Sequence, residues 1–287
     1  MNYLIKILTI TLLVFLTDAT TLTASTRYHC SADSVKVMEL IQKASQGKSY
    51  GDKIVEAAKA LQGIPLGKAA DNDSEGTLVI RLDSLNQREL VYIAIAAAKT
   101  AQLSVPTIKD FEKYLENISR RKGKDEGFHS QFLYGADWIA DNVYRGNLMD
   151  MTDYIGGGSE RIKTLDYVSR HPEQFPAMAD SITADKVKTV EFGFRSHRIP
   201  HLKKQSIGDK KTKELIKNGD IIILCSPDTD FDIYDIGIIS IENGEPTLIH
   251  IPKSKESKVQ LDPYPVTRLF KNESQHFYGY RWLRPLD

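Results

Sequence analysis

The chain has no excess of either charge, because its 287 residues include 38 Lys plus Arg and 38 Asp plus Glu. A protein that binds a long polyanion concentrates cationic side chains, and this sequence contains no basic stripe. We therefore exclude nucleic acid as a partner. Apolar residues (41%) and charged residues (26%) occur in the proportions of a globular domain, which excludes a disordered chain.

Cysteine is scarce, since Cys30 and Cys225 are the two in the chain. Two cysteines exclude a scaffold stapled by disulfides, and no Cys/His cluster indicates a zinc site. The sequence leaves two alternatives open for them. They form one bridge, which needs Cα atoms within about 7 Å, or they stay free thiols with Cys225 buried in a strand.

Long apolar runs are missing as well. The run Ile7 to Leu16 is shorter than the about 20 residues that cross a bilayer. Lys6 before this run, and the small residues Ala19 and Ala24 after it, are typical of an export signal. We predict a signal peptide over residues 1–24, no stable membrane span and a periplasmic or secreted mature protein. A membrane anchor is the alternative.

The first half of the chain has the apolar spacing of helices, and the second half has short β-rich runs separated by turn residues. Helices are predicted around Val35 to Gln42 with Ser31 or Ser34 as cap, and over Asp52 to Gln62, Asn86 to Ala101, Thr107 to Lys122 and Phe132 to Tyr144. Strands are predicted at Thr77 to Leu82, Ile221 to Leu224, Ile233 to Ile241, Thr247 to Ile251 and Phe277 to Leu283.

This order predicts the α+β class, with a helical lobe packed on an antiparallel sheet. We expect one domain over residues 25–287, helical over about 30–185 and sheet-rich over about 186–287. Two local signals are specific. Asn86 followed by Glu89 is typical of a capping box, and Asn243-Gly244 between two β-rich runs is typical of a hairpin turn.

Two groups of residues have a partial metal-site spacing. Asp228, Asp230 and Asp232 alternate as in a calcium loop, but the glycine and the closing glutamate of that loop are missing. His197 and His201 have a ligand-like spacing, but the proline between them argues against a helix that presents both. We predict no metal and no cofactor, with these histidines at the surface or in loops.

Four stretches, in this order, carry a resemblance to a known family. They are ALQGIPL (Ala60 to Leu66), YGADWIADNVYRG (Tyr134 to Gly146), TLDYVSRHPEQFPAM (Thr164 to Met178), and NGDIIIL with FDIYDIGIIS and LIHIPKS. From about Ile54 to Pro285 the chain resembles the N-acetylmuramoyl-L-alanine amidase-like family of the NlpC superfamily of peptidoglycan hydrolases. The resemblance implies a papain-like fold and a peptidoglycan or muropeptide ligand.

The same resemblance implies three catalytic positions. The family's cysteine nucleophile, at the start of a buried helix, aligns with Gln87 in LNQRELVY. Its general-base histidine aligns with Asp235, and the third triad residue aligns with His250. Since a glutamine amide cannot form a thiolate, the resemblance implies a degenerate triad. A relocated pair of Cys225 and His250 is an alternative, as is a charge pair between Asp235 and His250.

We therefore predict an exported amidase-like protein that is catalytically degenerate but keeps a cleft for peptidoglycan fragments. Tyr134, Asp137 and Trp138 are predicted to line or support that cleft, and packing of their helix against the sheet is the alternative. Two other functions remain open. The first alternative is an active hydrolase that uses non-standard residues. The second is a secreted interaction protein that keeps only the scaffold of the family.

Overall fold

A computed structural model describes residues 27–67, 78–156, 158–254 and 257–287. The predicted signal peptide lies outside these residues. Among the described helices none is long and apolar enough to cross a membrane.

Most of the helical residues lie in the first half of the chain, as predicted. Their bounds are α1 Ser31–Ala44, α2 Tyr50–Ala60, α3 Gln87–Thr100, α4 Ile108–Ser119, α5 Gly135–Tyr144, α6 Met151–Ile155, α7 Tyr167–Arg170, α8 Ser181–Phe192, α9 Lys210–Leu215 and α10 Val266–Asn272. Short 3₁₀ turns lie at Arg121–Gly123, Phe128–Ser130, Pro172–Gln174, Pro176–Ala179 and Lys204–Gly208.

The strands form one large sheet and two small ones. Their bounds are β1 Arg27–Tyr28, β2 Val79–Ile80, β3 Leu148–Asp150, β4 Ser159–Lys163, β5 His197–His201, β6 Ile221–Cys225, β7 Ile233–Glu242, β8 Glu245–His250, β9 Gln260–Pro265 and β10 Tyr280–Pro285. The large sheet has the order β3-β10-β6-β7-β8-β9, with every neighbouring pair antiparallel. The fold is therefore a mixed α+β fold with an antiparallel sheet.

Both faces of the large sheet are buried. Ile221, Ile223 and Ile236 face a core that includes the long helices α1 to α4. Ile222 and Leu224, one residue out of step, face a second core that includes residues of α10. Successive side chains of a strand point to opposite faces, so the continuous apolar run of β6 fills both cores.

Helix α3 lies at the centre of the first core. Its residues 90–98 are all buried, and an all-round apolar helix is stable only when it is surrounded. It packs against α2, α4 and β7. This packing brings the first turn of α3 against β7, which positions the candidate site.

The β7–β8 hairpin turns at Asn243 and Gly244, which have φ values of 51° and 83°. Two successive residues with positive φ are the mark of the turn that suits a two-residue hairpin, and Asn-Gly accepts it most readily. The hairpin prediction is confirmed.

Several predicted boundaries shift. Helix α5 begins at Gly135 rather than Phe132, and the last strand begins at Tyr280 rather than Phe277. Helix α1 begins directly after Cys30, whose backbone N–H donates to Asp33 Oδ2 at 3.1 Å, so neither Ser31 nor Ser34 is its cap. Of the strand predicted at Thr77 to Leu82, the structure forms the two-residue strand β2, and Thr77 lies outside the described residues.

Candidate functional site

The N-terminus of α3 is closed by the predicted capping box. Asn86 Oδ1 accepts hydrogen bonds from the backbone N–H groups of Arg88 and Glu89, each at 2.9 Å. Glu89 Oε2 accepts the Asn86 N–H at 2.8 Å. Because the cap satisfies these donors, the helix starts at a fixed point. Gln87 is its first residue and is half-buried.

Gln87 is held in place by its side-chain amide. Nε2 donates to Asp235 Oδ1 at 2.8 Å and to the backbone carbonyl of Ile251 at 2.9 Å. These two bonds use both amide hydrogens, so Oε1 is the atom of Gln87 left to accept a further hydrogen bond. Asp235 Oδ1 also accepts the Ile236 N–H at 2.8 Å. The structure thus brings Gln87 and Asp235, two of the positions that the resemblance implies, into direct contact.

His250 lies between two carboxylates and is 1% exposed. Its Nδ1 is 2.6 Å from Asp235 Oδ2, and its Nε2 is 3.2 Å from Asp262 Oδ2. Burial alone would lower the pKa of His250, but the charges and hydrogen bonds of the two carboxylates outweigh it and raise that pKa to about 9. His250 is therefore an imidazolium at neutral pH, with both ring nitrogens donating.

Asp262, on β9, is the member of this group that sequence reasoning missed. It is 8% exposed, and its Oδ1 accepts the Tyr264 N–H at 2.8 Å. Its neighbour is a proline, and an Asp-Pro pair is typical of a turn, so the sequence gives no sign of a buried strand residue. We call Gln87, Asp235, His250 and Asp262 the Gln87 cluster.

The Gln87 cluster contains no thiol. Cys225 is 1% exposed, and burial raises the pKa of its thiol to about 12. Cys30 is exposed, and both cysteines are free. The bridge that the sequence left open is therefore absent. The relocated pair of Cys225 and His250 is not formed either, because both ring nitrogens of His250 are bonded to carboxylates.

Asp137 and Trp138 are buried in α5, at 2% and 0% exposure. Asp137 forms a bidentate pair with Arg121, whose Nη2 lies 2.6 Å from Oδ2. Burial raises the pKa of Asp137, and Arg121 opposes that change. Trp138 Nε1 donates to the Ile118 carbonyl at 2.9 Å, and its ring lies 5.3 Å from that of Tyr92.

Tyr134 is 2% exposed, and its hydroxyl donates to Glu191 Oε1 at 2.6 Å. Burial raises its pKa above the ordinary value, and Glu191 adds to that effect. Tyr134, Asp137 and Trp138 thus all make internal contacts and leave no face for a ligand to stack on. These contacts correspond to the packing alternative, and they do not support direct ligand binding by the three residues.

The aspartates of the calcium-like motif each have protein partners. Asp232 accepts the N–H groups of Gly135 and Ala136, the first at 3.0 Å, and so caps α5 from a distant segment. Asp228 accepts the Asp230 N–H at 2.8 Å, and Asp230 pairs with Arg170. In the part of the chain that the structure describes, no group of three or more His, Cys, Asp or Glu residues could hold a metal.

The two histidines of the second motif lie at the ends of β5. His201 is 8% exposed, so its predicted place at the surface or in a loop is wrong. Its ring packs edge-on against Tyr278, with centroids 4.7 Å apart, and closely against Gly279, where a Cβ would lie 2.4 Å from His201 Cδ2. The sequence missed this because β5 contains a proline, which disfavours a strand.

The chain was compared with known proteins. The model of the AmiA-like, N-acetylmuramoyl-L-alanine amidase-like family matches residues 25–275. A Bacteroides uniformis ATCC 8492 N-acetylmuramoyl-L-alanine amidase is 24% identical, with a TM-score of 0.72, over 83% of this chain and 99% of that one. A Legionella pneumophila str. Philadelphia 1 protein of the DUF1460 family is 15% identical, with a TM-score of 0.68, over 89% and 95%. No curated protein matches the sequence.

These two solved structures show the fold alone, whereas the family match extends over most of the chain. Together with the mixed α+β architecture, it establishes that the chain belongs to the N-acetylmuramoyl-L-alanine amidase-like family.

Proposed function

We propose that this chain is an exported protein of papain-like, NlpC-type fold that binds peptidoglycan fragments without cleaving them. The observation that carries the proposal is the contact between Gln87 and Asp235, with Nε2 and Oδ1 at 2.8 Å. The resemblance places the nucleophile and the general base at these two positions. In this chain an amide and a carboxylate occupy them and bond to each other.

Amide hydrolysis by this route needs a thiolate to attack and a base to take its proton. Gln87 supplies no thiolate. The Cys225 thiol, whose pKa is about 12, stays protonated at neutral pH. His250 has a pKa of about 9, so it already carries its proton and cannot accept another. The four residues of the Gln87 cluster therefore hydrogen-bond to one another, and none of them is available to take a proton from a nucleophile.

A binding role is supported by the part of Gln87 that remains free. The side chain is half-buried at the end of a fixed helix, and Oε1 has no partner among the described residues. An acceptor held at a fixed position favours a ligand that presents an N–H or O–H group. Peptide amides and sugar hydroxyls of peptidoglycan both provide such donors, and family membership makes peptidoglycan the expected polymer.

The test uses purified muropeptide and the full chain. Isothermal titration calorimetry should detect binding, and chromatography of the incubated mixture should detect no released stem peptide. Gln87→Ala should weaken the binding, whereas Gln102→Ala, at an exposed glutamine, should not. Turnover that survives Gln87→Ala and disappears in Cys225→Ala would establish a hydrolase with non-standard residues. Absence of muropeptide binding would leave a scaffold used for other interactions.

The double variant Gln87→Cys with Asp235→His tests the assignment of positions. It restores the residue types that the resemblance assigns to nucleophile and base, next to His250. Stem-peptide release by the double variant, and by neither single variant, would support both the carried-over positions and a substrate-binding cleft. Release by a single variant would contradict the requirement for both groups.

A further inference from the structure

A polar cavity is lined by residues that do not belong to the Gln87 cluster. It has a volume of about 420 Å³ and is bounded by residues 161–164, by Asp166 and Arg170, and by the loop 227–230. That volume is within the range of small-molecule sites, which begins at about 300 Å³. Its lining includes none of the three catalytic positions that the resemblance implies.

The charges that line this cavity cancel. Arg161, Lys163 and Arg170 oppose three aspartates, at positions 166, 228 and 230. Arg170 is committed to two of them, with Nε 2.7 Å from Asp166 Oδ1. The formal charges of the lining therefore sum to zero. Such a lining favours a neutral ligand with many hydrogen-bonding groups.

The groups left free in this cavity suit hydroxyls. Asp166 Oδ2 and the hydroxyl of Thr229 have no hydrogen-bond partner among the described residues. One carboxylate oxygen accepts from a hydroxyl, and a threonine hydroxyl both donates and accepts. A sugar presents hydroxyls around the edge of its ring, and the two faces of that ring carry C–H groups.

An aromatic surface next to the cavity suits such a ring face. Phe231 is 44% exposed, and its ring lies 4.9 Å from that of Tyr167, which stacks on His171 at 4.2 Å. Asp230 and Arg170, which line the cavity, are sequence neighbours of Phe231 and His171. An exposed aromatic ring beside convergent polar groups is the combination that binds a ligand with an apolar face and a polar edge.

The loop that carries Phe231 is already held in place. The Lys163 ammonium donates to the backbone carbonyls of Ser226 and Phe231, each at 2.7 Å, and to that of Asp228. Lys163 is 6% exposed, so these bonds are shielded from water. Because the loop is already ordered, ligand binding does not have to include the free-energy cost of ordering the loop.

We propose that this cavity and the Phe231 ring form a saccharide subsite. This inference rests on the proposed function for its choice of sugar, a neutral N-acetylated hexosamine disaccharide of the glycan strand. Phe231 precedes Asp235 by four residues, so their Cα atoms lie within about 14 Å. One muropeptide can therefore reach the Gln87 cluster with its peptide and this subsite with its sugar.

The experiment titrates the full chain with the peptide-free disaccharide di-N-acetylchitobiose and follows binding by calorimetry and saturation-transfer NMR. Phe231→Ala should weaken binding about tenfold or more, because it removes the ring that covers the sugar face. Thr229→Val, which keeps the shape and removes the hydroxyl, should weaken it as well. Tyr144→Ala, at a tyrosine that is 91% exposed elsewhere, should leave it unchanged. Absence of saturable binding, or equal affinity in Phe231→Ala, overturns the subsite.

A parallel titration with saccharide-free stem peptide separates this inference from the proposed function. One outcome is that Phe231→Ala weakens disaccharide binding while Gln87→Ala leaves the affinities for stem peptide and muropeptide unchanged. That outcome supports the saccharide subsite and refutes the cleft at Gln87. Muropeptide binding that is insensitive to Phe231→Ala keeps the cleft and refutes the subsite. If neither ligand binds, both are refuted.

Discussion

The free energy of unfolding should fall as the pH rises from about 6.5 to about 9, because folding raises the pKa of His250. The ordinary pKa of histidine is 6.5, and in the folded chain it is about 9. A group that binds its proton more tightly when folded stabilises the fold fully below its unfolded pKa. That stabilisation is lost as the pH rises through the folded pKa.

The magnitude follows from the two pKa values. A pKa difference of one unit corresponds to about 1.4 kcal/mol, so the difference between 6.5 and about 9 corresponds to about 3 kcal/mol. Within this window the slope should approach about 1.4 kcal/mol per pH unit. His250 is 1% exposed, so solvent does not reduce the effect.

The assay is urea denaturation at half-unit steps between pH 6 and pH 9.5, on the wild type and three variants. His250→Gln should remove this contribution to the slope and destabilise the fold by about 3–5 kcal/mol at pH 6, since it leaves two buried carboxylates without their cation. Asp262→Asn should lower the upper end of the window, because removing one of the two carboxylate charges lowers the folded pKa of His250. His276→Gln, at an exposed imidazole whose ion-pair partner is Glu273 rather than Asp235 or Asp262, is the matched control.

The imidazole resonances of His250 provide the direct check by NMR. A titration midpoint near pH 9 is expected. A midpoint at or below 6.5, or the same slope in the wild type and in His250→Gln, would refute the assignment of a buried imidazolium.

Three further outcomes are expected. In the native, unreduced protein a thiol reagent should label Cys30 at once and Cys225 after unfolding; a single reactive thiol in the unfolded chain would contradict two free cysteines. Asp232→Asn should cost about 1–2 kcal/mol in urea denaturation through the N-terminus of α5, whereas exposed Asp228→Asn should cost less. Lys163→Met should cost about 3 kcal/mol, because it leaves three backbone carbonyls without a donor, and an unchanged unfolding midpoint would exclude that role.

The parts of the fold that the sequence predicted are those encoded by neighbouring residues. The capping box at Asn86 and Glu89 and the turn at Asn243 and Gly244 involve residues one to three positions apart. The start of α5 was misplaced for the opposite reason. The first N–H groups of α5 donate to Asp232, which lies 97 residues from Gly135 in the chain, and no local sequence pattern indicates so distant a partner.

The candidate site likewise contains residues that the sequence identified and one residue, Asp262, that it did not. Gln87, Asp235 and His250 were found because the resemblance aligned whole segments, whereas Asp262 has no motif and joins them through sheet pairing alone. The roles of Asp137 and Trp138 were ambiguous because aromatic and carboxylate side chains serve packing and binding equally well. Their burial, which sequence cannot measure, distinguishes the two roles.

The double hydrogen bond of the Gln87 amide has an evolutionary consequence. A change of Gln87 to cysteine alone would leave the Ile251 carbonyl without its side-chain donor, and Asp235 Oδ1 with the Ile236 N–H as its remaining donor. An unmet buried acceptor costs about 1–3 kcal/mol, so the first step toward a nucleophile is penalised before any activity can be selected. Positions 87 and 235 are therefore epistatic. A lineage that reaches this pair can leave it readily only by changing both residues together.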